Sequence, residues 1–509
     1  MGCIMDKEEN SKVEDSKVFQ EYDLNVNGMS AHIRIHIPKN ELVPLYDIYF
    51  EGVSEPTKLL LNSFRSNLIS MVPIDPSRID DKEYLKEMNN RYIAASRILI
   101  DKNLPGTDES TKRFLIAYII NMMLGLGELQ VPIADNNLEE IAVNGSTSNI
   151  WVFHKGIGWA KTSIRPLNEN MIYDQSQQIG RRVGRELNNL SPMMDAELED
   201  GSRVNATLFP ISQVGNTITI RKFAKNPWTM PALIINNSLT SDVAAIIWVC
   251  IENEISMLIS GGTASGKTSF LNAISIFFPP TRRVISIEET RELTLPQFLQ
   301  WVPMMTRQPN PEGKGAISLY ELMLNALRQR PDIIIVGEVR TAKDAETLFE
   351  AIHTGHSVYG TLHADSVNDT IVRMTNPPIN SPKLMMNALG SIVSLIRHRS
   401  KNIRRVLEFG EILDSGDGRV LYRWDYMKDM LVKADDMTKL KSTLMLYAGV
   451  NESEIDGLVE EHKIVIDWMV RKRITDVNDC GYIVAQYYKD KSRVLEMAKR
   501  DDDFSYGKF

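Results

Sequence analysis

The chain has 509 residues, 43% hydrophobic and 24% charged, with a formal net charge of -8 at pH 7. That length accommodates about two to four domains with substantial cores, and the acidic balance argues against broad charge-driven binding of nucleic acid, so no specific nucleic-acid partner is expected. Three scattered cysteines, Cys3, Cys250 and Cys480, exclude a disulfide framework or a thiolate zinc site and point to a reducing, cytoplasmic setting.

Taken in order, residues 1–20 are charged and aperiodic and read as a mobile tail. Asp6, Glu8 and Glu9 interrupt any signal-peptide pattern, and Asp6 stands where a myristoylation motif after Gly2 requires Ser or Thr. Beyond an Asn27-Gly28 turn, Ala31, Ile33, Ile35 and Ile37 alternate with His32, Arg34 and His36, which predicts a half-buried strand with its histidines toward solvent. Helical spacing follows at 57–71, 81–101 and 108–125. Residues 21–125 thus form an N-terminal docking region without a catalytic signature.

Residues 126–223 read as an α+β domain. Its strands fall at 138–144, 150–154, 158–163, 195–199, 203–209 and 216–223, with one helix at 168–190. Taken alone, Arg203 and Arg221 are exposed strand charges. Residues 224–240 carry two prolines and no period, which predicts a linker. From 241 to 430, strands at 255–260, 283–288, 301–306, 332–337 and 356–362 alternate with helices after the first, third, fourth and fifth. This is an α/β pattern with a mainly parallel sheet, extended by strands at 391–399, 404–413 and 419–426. The longest clean apolar run, 243–251, is too short to cross a membrane. Residues 431–509 are read as a C-terminal helical region, polar and mildly amphipathic from about 437.

The chemistry concentrates in four stretches. The first runs from Gly261 through Gly262, Thr263, Ala264, Ser265 and Gly266 to Lys267, Thr268 and Ser269, after a short apolar strand and before a helix. Glycines let successive backbone N–H groups curl around phosphate oxygens at a helix N-terminus. Lys267 would reach the β- and γ-phosphates and the Thr268 hydroxyl would ligate Mg²⁺, so ATP and Mg²⁺ are the expected ligands. The second stretch ends the run Ile333 to Val336 with Gly337-Glu338-Val339-Arg340, placing Glu338 in the Mg²⁺–water shell. The third carries Glu288, Glu289 and Glu292 at another strand end, where one carboxylate can orient the attacking water. The fourth sets His356 and His363 at the two ends of one strand.

These four motifs, in the chain order phosphate loop, Glu288 box, Glu338 stretch and histidine pair, resemble the secretion ATPase superfamily, which powers type II secretion, type IV pili and the archaeal swimming filament. The resemblance covers about 130–415. It implies a RecA-like ATPase domain, an N-terminal domain closing over the nucleotide, and a ring-shaped homohexamer. It also implies a polytopic membrane platform protein and accessory motor proteins as partners, with peripheral contact at the inner face of the cytoplasmic membrane. Carried over, Glu288 polarises water, Glu338 ends the Walker B strand, and His356 and His363 form the His box. Arg203 and Arg221 become arginines that reach the phosphates, which displaces the surface reading.

Departures matter too. The box often written E-D-P-x-E stands here as Glu288-Glu289-Thr290-Arg291-Glu292, which leaves the choice among its glutamates open. The tetra-cysteine zinc insert of many bacterial members is absent. T-R-E-L-T-L-P after the box and T-N-P-P-I-N-S-P-K at 375–383 are similar to the archaeal branch, in particular the archaellum motor ATPase. The expectation is a hexameric Mg²⁺-ATPase that drives assembly or rotation of that filament. Archaeal pilus-assembly and type II-like secretion ATPases share the chemistry. A DNA translocase is disfavoured by the lack of a basic-aromatic stripe, and a non-hydrolysing scaffold by the carboxylate cluster.

Overall fold

The computed structural model describes residues 16–50, 55–73, 82–198, 200–223, 226–307, 309 and 313–506. Residues 1–15 of the expected tail lie outside them. The chain divides into two compact units, 1–224 and 225–509.

Unit 1 contains strands β1 (Ser16–Val26), β2 (Met29–Pro38), β3 (Leu45–Phe50), β4 (Leu138–Asn144), β5 (Trp151–His154), β6 (Gly158–Thr162), β7 (Met193–Glu197), β8 (Arg203–Thr207) and β9 (Thr217–Arg221). Its helices are α1 (Glu55–Met71), α2 (Lys82–Asn103), α3 (Glu109–Leu124), α4 (Gln130–Ala134) and α5 (Glu169–Arg182). The strands form one sheet in the order β1-β2-β3-β6-β5-β4-β9-β8-β7. The alternation in β2 is real: Ala31, Ile33 and Ile35 are fully buried, and the histidine side is not.

Three sequence expectations need correction here. The tail does not extend to residue 20, because β1 begins at Ser16 and pairs along β2 from Ser16↔Pro38 to Val26↔Met29. No boundary falls at 125/126. β3, which has no clear period, pairs in parallel with β6 through Leu45↔Lys161 and Tyr46↔Thr162, and so joins the two regions into one sheet. Buried Asp135 reinforces that seam by accepting hydrogen bonds from the hydroxyls of Tyr22 on β1 and Tyr46 on β3. The helix expected to reach residue 190 stops at Arg182. Gly184 turns the chain at φ 65°, and Arg185 N–H returns to the Gly180 carbonyl at 2.8 Å.

Unit 2 contains α6 (Met230–Ile235), α7 (Ser241–Glu252), β10 (Met257–Gly261), α8 (Lys267–Ser275), β11 (Arg283–Glu288), β12 (Gln300–Met305), α9 (Leu319–Leu327), β13 (Ile333–Val336), α10 (Ala342–His353), β14 (Ser357–Leu362) and α11 (Val367–Thr375). It continues with β15 (Ser391–His398), β16 (Ile403–Ile412), β17 (Gly418–Asp425), β18 (Met430–Lys433), α12 (Lys439–Ala448), α13 (Glu452–Arg471), α14 (Val477–Lys489) and α15 (Lys491–Arg500). The sheet order is β12-β11-β13-β14-β10-β15-β16-β17-β18. Pairing is parallel from β12 to β15 and antiparallel from β15 to β18. Every residue of β10, β13 and β14 is buried, as expected of strands covered on both faces. Ser318 with Glu321 and Thr341 with Asp344 form capping boxes that start α9 and α10.

The expected linker is largely part of this unit. Pro231 lies in the first turn of α6, where its missing N–H is harmless, and Met230 is fully buried. Nor do residues 431–509 stand apart. Trp468 and Tyr487 share one core with Trp248 and Phe277, and the Tyr488 hydroxyl donates to the Phe277 carbonyl at 2.8 Å. Among the described residues no single helix is long and apolar enough to cross a membrane, although Glu109–Met123 and Gly127–Ala134 pass that test as a bent pair.

Candidate active site

The glycine-rich turn joins β10 to α8, at the carboxyl end of the parallel strands. Gly261 is sterically required: a Cβ there would lie 2.3 Å from Ser265 Oγ and 2.7 Å from the Leu395 carbonyl oxygen. Gly266 caps α8 at φ 101°, in the left-handed region. Thr263 and Ala264 form the exposed tip, while Thr268 and Ser269 are half-buried in the first helical turn. Lys267 is buried. Its Nζ donates to the carbonyls of Gly261 at 2.9 Å and Gly262 at 3.1 Å, and to His363 Nδ1 at 3.2 Å. Burial lowers its pKa, an effect opposed by the negative charges of Glu338 and Glu292.

His363 follows β14, one strand from the loop. Because Nδ1 accepts from Lys267, the ring hydrogen sits on Nε2, which faces Glu338 Oε1 at 3.4 Å. Glu338 follows β13. Its other oxygen accepts from Arg340 Nη2 at 2.9 Å, while Arg340 Nη1 bridges both oxygens of Glu289 at 2.7 and 2.8 Å. Burial alone would raise the Glu338 pKa. The hydrogen bond and charge of Arg340, with His363 and Lys267, outweigh it and hold this carboxyl below its ordinary value.

Glu288 ends β11, the neighbouring strand, and has the opposite environment. The Gly337 amide donates to the Ile287 carbonyl at 2.8 Å, and a Cβ on Gly337 would lie 3.3 Å from Glu288 Cα, so the two strand ends touch. Glu288 is only 3% exposed. Its Oε1 accepts from the amides of Glu292 at 2.9 Å and Leu293 at 3.1 Å, whereas buried Oε2 has no partner among the described residues. Burial pushes its pKa up to about 7 despite those two amides. Half-buried Glu292 adds a repelling charge.

His356 does not join this group. It precedes β14 at the amino end, and its Nδ1 lies 3.1 Å from both the Ala351 carbonyl and the Thr354 hydroxyl. Parallel strands place one end at the phosphate loop, so a strand-bracketing pair supplies one histidine to the site and one to the opposite edge. Arg203 and Arg221 belong to unit 1, where they are direct cross-strand neighbours. The row across four strands reads Glu140↔Arg221↔Arg203↔Glu197, two cations flanked by two carboxylates.

Two residues near the loop carried no sequence signal. Asp365, two residues after His363, places Oδ1 3.4 Å from where a Cβ on Gly262 would stand, and its charge acts on Lys267. Arg404 on β16 donates through Nε to the Ala264 carbonyl at 3.1 Å. In sequence each resembles an ordinary surface charge.

The oxygen donors fit a hard cation: the Thr268 hydroxyl and the Glu338 carboxylate would hold Mg²⁺. Among the described residues no group of three His, Cys, Asp or Glu side chains forms a metal cluster, so phosphate oxygens and water would complete its shell.

The profile of a family described as type II/IV secretion system protein matches residues 132–482, spanning both units. The chain belongs to this family. It is 33% identical over 471 residues to uncharacterized protein MJ0900 of Methanocaldococcus jannaschii, covering 86% of this chain and 84% of that one. It is 26% identical over 285 residues to the type IV secretion system protein PtlH of Bordetella pertussis, covering 51% and 82%. Among solved structures it is similar to the ATPase DotB of Legionella pneumophila, with 19% identity, 72% of this chain and 92% of that one covered, and a TM-score of 0.41. The phosphate loop, Glu338 after β13 and His363 after β14 lie together within unit 2.

Proposed function

We propose that the chain is a Mg²⁺-dependent ATPase that works as a homohexamer beneath a membrane platform protein and drives assembly or rotation of an archaellum. The observation that carries the catalytic reading is the pair of unlike carboxylates beside the phosphate loop. Glu338, held charged, fixes the metal-side charge. Glu288, with an unpartnered buried oxygen and a raised pKa, takes the proton from a water as that water attacks the γ-phosphorus and the bond to the β-phosphate oxygen breaks. Lys267 turns from the loop carbonyls toward the γ-phosphate and stabilises charge there. Mg²⁺, when bound, would neutralise charge on the phosphate oxygens. Arg203 and Arg221 are assigned to the phosphates on the family resemblance.

The archaellum reading rests on the stretches at 290–296 and 375–383. A pilus or secretion system is the second reading, favoured by the relatives named for type IV secretion and conjugal transfer. Purified Lys267→Ala is expected to lose at least about 100-fold in ATP turnover; substantial residual hydrolysis would contradict the assignment. Deleting the gene and scoring swimming separately from surface adhesion distinguishes the filament readings: loss of swimming alone supports the first, loss of adhesion alone the second.

A further inference from the structure

The sheet order sets a direction for any nucleotide bound at the loop. β14, β13 and β11, whose ends carry His363, Glu338 and Glu288, all lie on one side of β10. β15 and β16 lie on the other. A triphosphate with its γ end toward the carboxylates therefore leaves its nucleoside end toward β15 and β16.

Arg404 stands on that side. Its Nε donates to the Ala264 carbonyl at 3.1 Å, and its Cδ is 3.6 Å from where a Cβ on Gly266 would stand. Ala264 sits at φ 58°. That left-handed conformation costs a residue with a Cβ about 1 kcal/mol, so the loop tip needs an external tie to keep its shape. The backbone beneath Arg404 is firmly held. Its carbonyl accepts from Ser238 Oγ at 3.2 Å and Arg405 Nη1 at 2.9 Å, and Arg405 grips Asp429 through two bonds of 2.7 Å.

Arg404 lies directly across from Arg397 in the β15–β16 register, which places two basic residues on that side of the loop.

We propose that Arg404 is a positioning residue for nucleotide affinity: through the Ala264 carbonyl it holds the phosphate loop in its binding shape from the nucleoside side. It therefore favours ADP and ATP alike and leaves the hydrolytic step to the ends of β11 and β13. This assignment rests on the ATPase reading and adds a residue to it.

The test measures ADP binding by calorimetry and steady-state ATP turnover for the full chain, as wild type, Arg404→Ala and Arg404→Lys, with thermal melts to verify folding. Arg404→Ala is expected to raise the ADP Kd and the ATP KM together by about tenfold, with the loss in kcat below about twofold. Arg404→Lys, which keeps a cation and a donor but not the fork, falls between them. An unchanged ADP Kd in a folded Arg404→Ala chain, or a loss confined to kcat, overturns the assignment while leaving the ATPase reading intact. Failure of the wild type to bind ADP overturns both.

Discussion

The ends of β11 and β13 lie side by side and each presents a glutamate, yet the two carboxylates differ. Glu338 is surrounded by Arg340, His363 and Lys267 and held below its ordinary pKa. Glu288 is enclosed, accepts from two backbone amides, and is pushed up to about 7 by burial. The same side chain is thus held charged on one strand and poised near neutrality on the next. Environment, rather than residue type, sets the two charge states, and with them the roles proposed for the two glutamates.

Substitutions that preserve shape break this comparison most directly. Glu338→Gln removes the fixed charge, so turnover should fall by roughly 100-fold or more while nucleotide affinity changes only a few-fold. Single-turnover hydrolysis and a binding titration check both parts. Glu288→Gln should lower the chemical step by about 100-fold for a different reason, the loss of the proton acceptor. It should also alter stability. Glu288 binds its proton more tightly folded than unfolded, so its contribution is full below the ordinary glutamate value of 4.5 and is lost as pH rises through about 7. The wild type should lose up to roughly 3 kcal/mol across that window, a slope that thermal melts should not find in Glu288→Gln. Glu289→Gln should be the mildest. Glu289 reaches the site only through Arg340, at 2.7 Å, and about a threefold loss in turnover is expected as Arg340 loosens. A full loss in Glu289→Gln would make Glu289, rather than Glu288, the partner of Glu338.

The contrast also explains what could be read from sequence. The buried parallel strands of unit 2 were legible because such strands read as continuous apolar runs, and the loop, Glu288, Glu338 and His363 lie at or just past the ends of such runs. The roles of the three box glutamates were not legible. Adjacent positions 288 and 289 differ in burial, and only the fold places Arg340 against the second. Unit 1 was harder for a topological reason. Its decisive pairing, β3 with β6, joins residues more than a hundred positions apart, between a segment without alternation and one already assigned elsewhere. In unit 2, β18 was missed because Leu431 is its one buried residue, so neither a buried run nor a buried alternation marks it. Prolines misled at 224–240 because Pro231 starts a helix instead of breaking one. Arg404 lay in a strand rich in basic residues, and its contact with Ala264 spans 140 positions.

The most direct measurement is a carbon-13 NMR titration of the nucleotide-free chain labelled at glutamate side-chain carboxyls, with Glu288→Gln and Glu338→Gln used to assign the two signals. The account predicts that Glu288 titrates near 7 and that Glu338 stays ionised to below the ordinary carboxylate range. Two carboxylates titrating together in the ordinary range would contradict it.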